Sequence, residues 1–234
     1  MHNIPTPEAR TCFEKARDLC KINTFTEALY FIDEALKLCP LYLNGLNQKG
    51  VVLCKLGKPK EAIEWFNRAI EIKSTYIRAW NNKGRAFYKL NKYMEALECF
   101  NYVLNIKPGN DVSWKSKGKV LAKLGKYRES LECFDTVLTL RHNYALIWEN
   151  KGSYLMKQNK TSEAKSCLDT VKKILHKNIE VVIDKSNVLC EMGRTEESIE
   201  CIDLALKLNP DDMNLLSKKE EILNKYGKTT LLAS

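Results

Sequence analysis

Residues 79–100 read AWNNKGRAFYKLNKYMEALECF, and 34 positions later residues 113–134 read SWKSKGKVLAKLGKYRESLECF. Trp80 returns as Trp114, Gly84 as Gly118, and Leu97-Glu98-Cys99-Phe100 as Leu131-Glu132-Cys133-Phe134. Anchored on these residues and on Trp148, the register extends in both directions without an insertion. It divides the chain into six units, 9–42, 43–76, 77–110, 111–144, 145–178 and 179–212. A small residue recurs late in each unit as Ala28, Ala62, Ala96, Ser130, Ala164 and Ser198. Four residues on stand Ile32, Phe66, Phe100, Phe134, Leu168 and Ile202, and three further Ala35, Ala69, Val103, Val137, Val171 and Ala205.

Apolar residues at three- and four-residue spacing mark amphipathic helices, whereas strands need strict alternation, which is nowhere evident. Each unit therefore carries two helices, split by a polar break such as KLNKY at 89–93 or KLGKY at 123–127. Gly50, Gly84, Gly118 and Gly152 sit inside first helices, where glycine costs about 1 kcal/mol relative to alanine. Their recurrence at one point implies that a neighbouring helix crosses too closely for a Cβ. Pro40, Pro108 and Pro210 close three units, because proline cannot continue a helix. Thr6-Pro7-Glu8 offers an N-cap and a proline in the first turn. Residues 1–8 form a lead-in, and 213–227 form a further amphipathic helix, capped by Asp211 or Asp212 and stopped by Gly227. A lone helix of this kind covers the last unit's apolar side. Residues 228–234 are expected to be a flexible tail.

These residues resemble the tetratricopeptide repeat (TPR) family, whose 34-residue pattern is W-x2-L-G-x2-Y…A-x3-F…P. The resemblance covers residues 9–212. Lys83, Lys117 and Lys151 replace the family's leucine before each glycine, Phe87, Leu121 and Leu155 replace its tyrosine, and unit six has Val182 and Ser186 for Trp and Gly. The resemblance implies an all-α, right-handed superhelical solenoid of six helix pairs plus a C-terminal capping helix. It also implies a concave face lined by the second, fifth, sixth and ninth positions of each first helix. Those positions supply Asn47 and Gln48; Arg78, Asn81, Asn82 and Arg85; Lys115, Ser116 and Lys119; then Asn150 and Asn187. Carboxamides both donate and accept, so this ladder suits the backbone of an extended peptide. Units three and four hold 13 Lys or Arg against 6 Asp or Glu, a focused positive field that attracts acidic segments.

The implied function is a non-catalytic scaffold that holds an acidic or extended segment of another protein in a basic groove. Relatives that clamp acidic chaperone tails need Lys, Asn and Arg at set positions of three consecutive units. Units two to four offer Asn47 and Val51, Asn82, then Val112 and Ser116, so that clamp is not expected. RNA binding through the basic centre is the competing reading, since the pI is near 9.0 and Tyr76, Phe87, Tyr88 and Tyr93 lie among the charges. A self-assembling homo-oligomer is a third.

Catalysis is not expected. His2, His142 and His176 are the only histidines, and no Gly-rich phosphate loop is present. His142 and His176 share one unit-terminal position, so they stand at least the ~8–10 Å of helix packing apart, too far for one metal ion. No metal or other cofactor is expected. Nine cysteines lack any C-x-x-C pair. Cys99, Cys133, Cys167 and Cys201 occupy one position, held by Phe31 and Trp65 in earlier units, so they are expected as apolar filler. No run approaches the roughly 20 apolar residues of a membrane span. The first residues, MHNIPTPEAR, lack a basic-then-apolar signal segment, and a cytoplasmic location is expected.

Overall fold

A computed structural model describes residues 5–157, 159 and 161–230. Expectations for residues 1–4 of the lead-in, including His2, and for 231–234 of the tail lie outside the described residues. Among the described residues, eleven helices run α1 (Pro7–Lys21), α2 (Phe25–Leu38), α3 (Leu43–Lys55), α4 (Pro59–Ile72), α5 (Ile77–Lys89), α6 (Tyr93–Ile106), α7 (Asp111–Lys123), α8 (Tyr127–Lys157), α9 (Thr161–Glu191), α10 (Thr195–Leu208) and α11 (Met213–Thr230). There is no strand among the described residues, and the fold is an all-α helical repeat.

The break between the two helices of a unit has one cause throughout. Its fifteenth residue is Asn23, Gly57, Asn91, Gly125, Asn159 or Gly193, each at a φ between 59° and 78°. Only Gly and Asn reach this left-handed region cheaply. The next amide then turns back to the first helix: Lys58 N donates to Leu53 O, Lys92 N to Phe87 O and Lys126 N to Leu121 O, each at 2.9 Å. This closure satisfies carbonyls the helix end would leave bare.

Four unit junctions turn sharply, with Tyr42 N donating to Cys39 O, Tyr76 N to Lys73 O, Asn110 N to Lys107 O and Asp212 N to Asn209 O. Trp80 and Trp114 each donate an indole N–H, at 2.7 Å, to the carbonyl of Ser74 and of Pro108 in the turn before them. The other two junctions do not turn at all. Helices α8 and α9 are 31 residues each and run straight through residues 144 and 178, where breaks between units were expected. His142 and His176 stand where Pro40, Pro108 and Pro210 stand elsewhere, so every amide there can join the helix. Unit five's two helices are thus continuous with their neighbours. Helix α11 likewise passes through Gly227, expected as its stop, to Thr230. Its cap is Asp212, whose Oδ1 accepts from Asn214 N and Leu215 N.

The chain divides into two compact halves, residues 1–116 and 117–234. The first has a core of Ala16, Ile32, Leu46, Val52, Phe66 and Ala79 with their neighbours. The second is centred on Ile179, Val182, Cys190, Ile202, Leu215 and Ile222. Close crossings occur where the glycines mark them. A Cβ at Gly84 would lie 2.8 Å from the Phe100 ring, one at Gly118 equally close to Phe134, and one at Gly50 closer still to Phe66. Cys99, Cys133 and Cys167 are buried, Cys201 is half-buried, and all are free thiols. Burial pushes the Cys99 and Cys133 thiols up to about 11.

Candidate functional site

In the first half, α3 packs against α5, which brings the expected carboxamides together. Asn82 Nδ2 donates to Asn47 Oδ1 at 2.9 Å. Asn81 Oδ1 accepts from Ser113 Oγ at 2.6 Å, and Gln48 Nε2 reaches Cys20 Sγ at 3.4 Å. Asn47 and Asn81 keep only 8% and 9% of their surface. Their carboxamides therefore join neighbouring helices, because a buried amide must be paired within the protein. Asn82 and Gln48 remain half-buried.

Arg78 and Arg85 are exposed on α5, two helical turns apart and hence on one face. Burial raises the Tyr76 phenol, and the Arg78 charge pulls it down against that effect. Arg10 and Arg17 hold the same two positions on α1 and are also exposed. Lys89 Nζ donates to Cys54 O at 3.0 Å, placing a cation at the C-terminal end of α3, where the helix dipole favours one. Lys115 and Ser116, on α7, are half-buried.

In the second half, Lys119 Nζ lies 3.0 Å from Asp184 Oδ2 and 4.0 Å from Glu180 Oε1. Its charge is thus largely answered within the chain. Asn150 is exposed and Asn187 half-buried. Among the described residues no three or more His, Cys, Asp or Glu gather closely enough to hold a metal ion. No described helix is long and apolar enough to cross a membrane.

A cleft of about 410 Å³ lies at the start of α3, lined by Pro5, Arg10, Tyr42, Leu43, Asn44, Lys73 and Tyr76. Tyr76 Oη donates to Asn44 Oδ1 at 2.8 Å. Burial raises both phenols, which keeps them neutral, and the one hydroxyl hydrogen of Tyr76 is already given to Asn44. The repeat register assigns Arg10 and Asn44 to the concave face, but not the tyrosines with them. The signal is nonetheless present: Tyr42 and Tyr76 are the last residues of units one and two.

Models of the tetratricopeptide repeat match residues 77–110 and 180–212, and a TPR repeat model matches 50–91. No curated protein matches the chain. Among solved structures, TTC0263, a thermophilic TPR protein of Thermus thermophilus, is similar over 92% of this chain and 98% of its own, with a TM-score of 0.64 and 17% identity. Pseudomonas aeruginosa pilF is similar over 93% of this chain and 97% of its own, at a TM-score of 0.56 and 17% identity. The first TPR of Spaghetti (RPAP3), bound to the HSP90 peptide SRMEEVD, is similar over 53% of this chain and 99% of its own, at 0.50 and 21%.

Proposed function

The chain is a tetratricopeptide-repeat protein, and we propose that it is a non-catalytic scaffold holding an acidic segment of another protein on its first half. The observation that carries this reading is the pair Arg78 and Arg85, exposed on one face of α5. Beside them, Asn47 and Asn82 are locked to each other, so the surface under a bound segment is already ordered. Ordering before binding lowers the entropic cost of association. The structural neighbour that holds SRMEEVD, a peptide with three acids, supports an acidic ligand by analogy. The analogy stops at charge, because Val51, Val112 and Ser116 stand where the chaperone-tail clamp needs polar or basic groups.

Lys119, Asn150 and Asn187, on the second half, are proposed as contact positions of that half by itself, with Lys119 the weakest because Asp184 already engages it. The test is therefore Arg78→Glu/Arg85→Glu, which leaves that ion pair intact. Circular dichroism of the variant should match the unmodified chain, and partner capture should fall about tenfold or more, since ~1.4 kcal/mol is a factor of ten. Capture that survives the double reversal would sink the reading. Release of all captured protein by nuclease would place RNA first.

A further inference from the structure

We propose that the cleft at the start of α3 is the anchor point for a carboxylate carried by a peptide, seated on Tyr42 and on Asn44, which Tyr76 holds in place, between Arg10 and Lys73. The inference rests on the acidic-segment reading above and says where such a segment is gripped.

Three independent features converge. The first is electrostatic. Arg10 comes from α1 and Lys73 from the turn after α4, so two elements deliver cations to one cleft. Among the described residues, no Asp or Glu lines the cleft beside these two cations. The second is donor geometry. Helix α3 begins at Leu43, and its N-cap, Tyr42, gives no side-chain capping bond. The first-turn amides of Leu43, Asn44 and Gly45 therefore depend on something outside the helix, and the helix dipole favours an anion there. The Tyr76–Asn44 hydrogen bond fixes two of the polar groups before any ligand arrives. The third is shape. Pro5 and Leu43 offer apolar surface beside the polar floor, and the space, about 410 Å³, admits the methylenes of a glutamate as well as its carboxylate. A bare inorganic anion would leave those walls uncovered.

The cleft uses the second position of its units and the turns between them. It is thus separate from the Asn47–Asn82 pair and from Arg85.

The test is a titration of the full-length ¹⁵N-labelled protein with N-acetylated, C-terminally amidated tetraglutamate and tetraglutamine, with glutarate and with inorganic phosphate, each at one fixed salt concentration. The amides of Leu43, Asn44 and Gly45 should shift saturably with tetraglutamate and not with tetraglutamine. Arg10→Gln/Lys73→Gln should weaken that response at least tenfold with the remaining spectrum unchanged, and Tyr76→Phe should weaken it less. If tetraglutamate perturbs residues 82–85 in an Arg85-dependent manner while the three amides stay still, the cleft proposal is overturned and the acidic-segment reading stands. If glutarate moves the three amides but tetraglutamate binds nowhere, the cleft takes a free carboxylate only, and both the peptide-anchor proposal and the segment reading are overturned. A stronger response to phosphate than to glutarate would overturn the carboxylate assignment.

Discussion

Gly50 and Phe66 set the distance between the two helices of unit two, and Gly84 with Phe100 repeats the arrangement in unit three. Alanine in a helix is favoured over glycine by about 1 kcal/mol, while forcing a methyl into a packed site costs roughly 1–3 kcal/mol. At Gly50 the ring lies closest, so packing wins. Gly50→Ala should lower stability in urea by about 1–2 kcal/mol, and pairing it with Phe66→Leu should recover part of that loss. Gly109 has nothing near its missing Cβ, so Gly109→Ala should be neutral or stabilising by about 0.4–1 kcal/mol. The buried thiols give a second expectation at this scale. With Cys99 and Cys133 raised to about 11, both should resist thiol reagents at pH 8 until the chain unfolds. Their folded pKa exceeds the unfolded value, so the stability linked to them is complete below about 9 and is lost as pH rises toward 11. The close crossing was legible in the recurring glycines. The inward turn of Asn47 and Asn81 was not, because a position in the register does not say which carboxamides find partners on the next helix.

Units four to six show what decides an element's length. An apolar repeat specifies which face is buried, but ending a helix takes a residue that cannot continue it or a group that captures its last carbonyls. Pro40, Pro108 and Pro210 are such residues, and at Ser74 the captors are Trp80 and Tyr102, which both reach its carbonyl. At residue 142 the chain has His in place of Pro, and the neighbouring Arg141 donates across to Lys177 O at 2.7 Å, tying α8 to α9. The 34-residue register was legible here and the missing break was not, since family resemblance supplies a turn at every boundary. The intra-unit breaks could have been placed to the residue, because the fifteenth position is Asn or Gly six times over. His142→Pro discriminates between the two arrangements. In a continuous helix it should cost about 3 kcal/mol or more, visible as a lower urea midpoint. In a turn like that at Pro108 it would be neutral.

For the chain as a whole, the all-helical class follows from apolar spacing, whereas partner choice depends on which charges remain unanswered after folding. Sequence counting puts the excess of Lys and Arg in units three and four. The fold sorts those cations: Lys119 faces Asp184, Lys89 sits on a helix end, and Arg78 and Arg85 are left exposed. That sorting could not be read from composition, because it needs the acids of units distant in sequence. Attraction to an acidic segment should weaken with salt, since exposed charges are screened beyond the Debye length of about 8 Å at 0.15 M ionic strength. The most direct measurement is selection of a random peptide library on the full-length protein at moderate salt, repeated with Arg78→Glu/Arg85→Glu. Enrichment of Asp- and Glu-rich peptides that the double variant no longer retains is the predicted result. Enrichment of neutral or basic peptides, or acidic peptides kept equally by both proteins, would contradict the account.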